Sequence, residues 1–217
     1  MPTLTQEDVF TFDELSDSAK ETAREWMRDG EIEDFGQDDG IYEPALSAAR
    51  ILGIEFDNAE YNIRNPKAYT PAIRWSGFSS QGDGASFVGS YSHSPNSPAR
   101  IRSEFPTDTR LHAIADGLDA IQNGFRLLTG HRINARITHN GREVHKMSMS
   151  VTVEDAETGD ELEDVEPEDK ILDLMRDFAD WIYWGLEAEY DYRLSDENID
   201  ERIGDGEYQF DEDGKHV

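Results

Sequence analysis

Apolar residues recur every three or four positions from Glu168 to Arg193, and this stretch organises the chain. Ile171, Leu174, Met175, Phe178, Trp181, Ile182 and Leu186 form one face of a long amphipathic helix. Pro167 suits the first turn, and Glu166, Glu168 and Asp169 suit the positive helix start. At ~100° per residue, Asp169, Asp173, Asp180, Glu187 and Asp191 share a stripe opposite Phe178, with Tyr183 and Trp184 beside it. That stripe has two readings: the solvated back of a core helix, or a carboxylate row with aromatic anchors for a basic partner.

The same spacing predicts a helix from Leu15 to Gly30, capped by Ser16 or Ser18 and ended by Gly30, and a short one over Glu43–Leu52. Residues 31–42 read as an acidic loop. Another helix begins at Thr107 or Asp108 and runs to about Thr129, where Leu111, Ile114, Leu118, Ile121, Phe125 and Leu128 make a narrow seam. Gly117 and Gly124 share a face of it that admits a close neighbour. Period-two alternation predicts strands at Ile54–Phe56 with Tyr61 and Ile63, at Ala72–Phe78 and at Ala85–Tyr91, with Ser92–Pro98 as a loop. Arg132–His139 and Glu143–Val153 form a hairpin around Asn140-Gly141. Their apolar faces match only across an odd loop, which predicts a type I turn with a bulge at Gly141. Ala156–Glu166 reads as an acidic linker. Ser195 caps a helix to Ile203, and Tyr208–Phe210 adds a small strand. The expected fold is a single α+β domain over 1–217: an antiparallel sheet of about five strands covered by three longer helices. Its N- and C-terminal parts are acidic, and its C-terminal tail is frayed.

Charge changes this picture. The chain of 217 residues has a formal net charge of -28, and the charge is uneven. Residues 1–64 carry 17 acids and 5 bases, net -12; residues 65–146 carry 6 and 10, net +4; residues 147–217 carry 25 and 5, net -20. Direct binding to nucleic acid is disfavoured, because phosphates meet a repulsive field, whereas basic nucleic-acid-handling proteins are attracted. Five Lys against fifteen Arg also matches a salt-loving host, a second explanation of the acidity, although the basic middle counts against it. Neither a long apolar run nor a basic, apolar opening is present, so no membrane contact is expected and cytoplasmic residence is. Zero Cys excludes disulfides and thiolate chemistry.

Catalytic motifs are not found. His93, His112, His131, His139, His145 and His216 include no pair at helical i, i+4 spacing, so no metal and no cofactor is expected. Acid pairs such as Asp38-Asp39 have no evident base beside them. Gln81, Gly82, Asp83 and Gly84 form the most distinctive string; two glycines around an Asp favour a tight hairpin loop, and the Lys and helix of a phosphate loop are missing.

The blocks FTFDELSDSAKETAREW, WSGFSSQGDGASF, DFADWIYWGLEAEYDY and YQFDEDGK resemble an uncharacterised family of phages and bacteria. In that family a Ser-Gln-Gly-Asp-Gly-Ala string precedes a Ser or Cys and a Phe, and some members are labelled antitoxins of toxin–antitoxin systems. The resemblance implies a phage or mobile-element setting, hence the host cytoplasm, and brings no catalytic residues. The expected function is therefore a non-enzymatic acidic protein that binds and inhibits a host nucleic-acid-binding defence protein, as a DNA mimic of anti-CRISPR or anti-restriction type. Asp169, Asp173, Asp180, Glu187 and Asp191 would supply charge, and Tyr183 and Trp184 contact. An antitoxin that covers a cognate toxin and a halophile-adapted structural protein are the alternatives.

Overall fold

Capping side chains decide where three of the helices begin. The computed structural model of the chain describes residues 9–36, 39–59, 69–141, 144–162 and 166–217. In chain order it contains α1 (Asp17–Phe35), α2 (Glu43–Leu52), β1 (Ile54–Phe56), β2 (Ile73–Trp75), β3 (Ala85–Phe87), β4 (Gly89–Tyr91), α3 (Ser97–Glu104), α4 (Thr109–Thr129), β5 (Ile133–His139), β6 (Met149–Asp155), α5 (Glu166–Leu194) and α6 (Asp196–Asp205). Ser16, Asp108 and Ser195 accept backbone N–H bonds at the starts of α1, α4 and α6. Gly53 and Gly130 end α2 and α4 in the left-handed conformation.

The chain divides into two compact units: Gly40–Leu186, and Met1–Asp39 with Glu187–Val217. In the larger unit β1-β4-β5-β6 form an antiparallel four-stranded sheet, and β2-β3 form a two-stranded one. The class is α+β, but the expected single sheet of about five strands is replaced by these two sheets, and six α-helices stand among the described residues instead of three longer ones. The division comes at Val88. Its amide donates to Ala72 and its carbonyl accepts from Asp57, so β3 before it pairs with β2 while β4 after it pairs with β1 and β5. Gly89 permits the switch, because a Cβ there would lie 2.2 Å from the Glu55 carbonyl oxygen. The extra helix α3 occupies part of the Ser92–Pro98 stretch expected as loop, with Pro98 in its first turn. Tyr61, Ile63, Asp38 and Glu143 lie outside the described residues.

The β5–β6 register sets Ile137 against Val151 and His139 against Met149, so an odd number of residues joins the strands, as their apolar faces require. The connection is longer than a tight turn and includes a 3₁₀ turn over Lys146–Ser148. On α5, Ile171, Met175, Phe178, Ile182 and Leu186 are buried as the pattern predicts. Phe178 stacks on Trp181 at 5.7 Å and meets Phe87 edge-on at 5.8 Å. Gly117 of α4 accommodates α5 at close range, since a Cβ there would sit 2.9 Å from Leu174 Cδ2.

The smaller unit has its own core of Phe12, Leu15, Ala19, Ala23, Met27, Ile199, Ile203 and Phe210. α1 runs through Gly30, its expected end, to Phe35. Glu31 and Phe35 continue the buried i, i+4 stripe, with Glu31 held by Arg202 at 2.6 Å and Phe35 edge-on to Tyr190 at 5.3 Å. Residues 208–217, expected as a small strand and a frayed tail, fold back on α1: Phe210 bridges both Phe10 and His216, and His216 stacks on Trp26 at 4.2 Å. Among the described residues no helix is long and apolar enough to cross a membrane.

Candidate functional site

The predicted stripe on α5 divides once its side chains are placed. Asp169 and Asp173 are exposed, and Asp173 pairs with Arg176 at 3.6 Å, a surface pair of little energetic weight. Asp180 instead forms an ion pair with Lys146 of the 3₁₀ turn, and both side chains are partly buried. Beside it, burial first and then the Asp180 charge push the Asp177 carboxyl above its usual range, while Lys146 pulls it back. The Tyr183 hydroxyl donates to the Gly77 carbonyl at 3.1 Å, and its ring lies 5.5 Å from that of Phe78. Trp184 is 39% exposed, with the Arg110 guanidinium 3.8 Å above its ring. Asp180, Tyr183 and Trp184 thus hold α5 to its neighbours within the larger unit.

One of those neighbours is the glycine-aspartate loop. Gln81, Gly82, Asp83 and Gly84 join β2 to β3 as the hairpin expected from the string. Asp83 accepts from the amides of Ser79 and Ser80 at 3.0 and 2.7 Å, and Gly82 has φ +109. Gly84 leaves room for an imidazole: a Cβ there would lie 2.7 Å from His145 Cδ2. The string therefore builds a junction among the β2–β3 loop, the Lys146 turn and α5. Gly84→Ala is expected to lower stability by about 1–3 kcal/mol through overpacking. Adding His145→Ala should recover most of that loss, as thermal unfolding of the single and double variants would register.

The remaining predicted residues, Glu187 (half-buried) and Asp191 (exposed), belong to the smaller unit. That unit has 25 acids and 6 bases, net -19 of the chain's -28. Five of its six cations pair with carboxylates of the same unit: Arg24 grips Asp200 with two bonds of 2.6 and 2.7 Å, Arg28 pairs with Glu21 and Asp196, Arg193 with Glu189, Arg202 with Glu31 and Lys215 with Asp213, while Lys20 lies over the Phe12 ring. Glu25, Asp29 and Glu33 on α1, and Glu197, Glu201 and Asp205 on α6, are exposed and recur every fourth residue. Each row sets a carboxylate about every 6 Å along its helix. Like charges at that spacing destabilise a helix by about 0.2–0.5 kcal/mol per pair, so the rows do not serve helix stability. These six acids were not singled out from sequence; the acidity of both chain ends was the available signal.

A family model described as Domain of unknown function (DUF8835) matches residues 38–196. The chain belongs to that family. No curated protein and no solved structure matches it. The DUF8835 span holds the whole larger unit, including the glycine-aspartate loop, and all of α5. Both carboxylate rows lie outside that span.

Proposed function

We propose that the protein is a non-enzymatic inhibitor from a phage or mobile element, which presents its acidic helical unit to a basic, nucleic-acid-binding defence protein of the host. The supporting observation is the concentration of net charge -19 in a unit whose arginines pair internally and which carries two exposed rows of carboxylates. One row offers a negative charge per about 6 Å, against one per about 3.4 Å along a strand of duplex DNA. The resulting field attracts surfaces that evolved to hold phosphates and repels DNA itself. On this reading the protein acts in the host cytoplasm as a DNA mimic of anti-CRISPR or anti-restriction type. Glu187 and Asp191 of the α5 stripe add to the charged surface, while Asp180, Tyr183 and Trp184 serve as scaffold.

Capture of host proteins on the immobilised chain, followed by elution with duplex DNA, tests the reading. The expected result is one dominant captured protein that binds duplex DNA by itself and is released by it. A captured protein that duplex DNA leaves in place contradicts mimicry and favours neutralisation of a cognate toxin.

A further inference from the structure

Within the larger unit, the open end of the β5–β6 ladder gathers three metal-ligating side chains. His131 stands two residues before β5, Asp155 ends β6 opposite Ile133, and Glu157 follows in the turn. One ligand atom from each lies within 4.8 Å of the other two. His131 Nδ1 and Asp155 Oδ2 are 2.7 Å apart, a direct hydrogen bond that already brings two of the ligand atoms together.

Backbone contacts hold both carboxylates in place. Asp155 Oδ1 accepts from the amides of Glu157 and Thr158 at 2.9 and 3.0 Å, leaving its side chain 11% exposed. Glu157 Oε2 accepts from the Arg132 amide at 3.0 Å, and its other oxygen has no hydrogen bond among the described residues. Ligands fixed to a paired strand end lose little freedom when an ion arrives. The turn that carries them also holds Glu154, Asp160 and Glu161, with Glu154 and Glu161 bridged through their backbones, so the local field favours a cation.

We propose that His131, Asp155 and Glu157 bind a divalent transition-metal ion of the zinc class. An imidazole with two carboxylates suits such an ion better than calcium or magnesium, whose sites are built from oxygen. Three protein ligands leave a position for water, as in open zinc sites. The ion takes the place of the proton between Nδ1 and Oδ2. That proton leaves to solvent, or moves to Nε2, as the Nδ1 lone pair turns to the metal. Sequence spacing hides the set, because the ladder pairing, not local periodicity, joins His131 to Asp155.

The test is calorimetric titration of the full chain, freed of metal, with zinc chloride. Loss of an outer-shell partner alone weakens metal sites by about 10–100-fold. His131→Ala and Glu157→Gln should therefore each weaken one stoichiometric site at least about tenfold, with the metal-free variants unfolding near the wild-type temperature. Cobalt chloride should give a visible absorption band that His131→Ala removes. Absence of a stoichiometric site, or zinc affinity equal in wild type and Glu157→Gln, overturns the proposal. The second result would assign the binding to diffuse surface acidity.

Discussion

Phe178→Ala is expected to lower the unfolding free energy by about 3–5 kcal/mol, a large part of the stability of an ordinary domain. Phe178 is fully buried and meets aromatic rings from three directions: Phe56 at 6.3 Å, Phe87 at 5.8 Å and Trp181 at 5.7 Å. Those rings belong to β1, β3 and α5, so truncation opens a cavity where sheet strands and helix converge. Little collapse is available, because aromatic neighbours cannot rotate into the space without losing their own contacts. Leu128→Ala on α4 is the control. Leu128 is 86% exposed, and its truncation should change stability by no more than about 0.5 kcal/mol. Urea denaturation followed by tryptophan fluorescence measures both; equal effects would show that the apolar face of α5 is not the core of the larger unit.

The second large effect falls on recognition. The triple variant Asp29→Lys, Glu201→Lys, Asp205→Lys should weaken binding to the captured partner by about 10²-fold or more, since like charges set face to face cost several kcal/mol. The positions are chosen so that folding does not suffer. Asp29 lies between Glu25 and Glu33 at i±4, and Glu201 lies four residues after Glu197, so those reversals turn three repulsions into attractions, while the Glu201–Asp205 repulsion is exchanged for a Lys–Lys one of similar size. Asp205 ends α6, where positive charge suits the helix dipole. Stability should hold or rise while affinity falls, measured by thermal unfolding beside surface plasmon resonance. Unchanged affinity would remove the carboxylate rows from the account.

Much of the architecture is legible along the chain because it rests on local rules. The apolar period of α5, the Asp108 and Ser195 caps and the left-handed Gly53 all follow from neighbouring residues. Pairing parity in β5–β6 was legible for the same reason: alternation leaves one face to bury. What escaped depends on distant partners. The change of sheet at Val88 rests on bonds to Ala72 and Asp57, and the length of α1 rests on Arg202 neutralising a buried Glu31 that reads as polar. Asp180 looked like a free charge because Lys146, its counterion, lies on a turn 34 residues earlier. The strongest concentration of charge needs both chain ends in one unit, a closure expressed in the Phe10–Phe210 bridge and invisible to any local window.

The affinity of the protein for its captured partner, measured against salt, tests the central claim most directly. A surface that stands in for six to ten phosphates should lose about 10³–10⁵ in affinity between about 50 and 200 mM salt. The account predicts that steep fall, with the fold intact across the range. An affinity that stays level while salt rises, or a chain that unfolds when salt is withdrawn, would contradict it and leave the acidity as solvation alone.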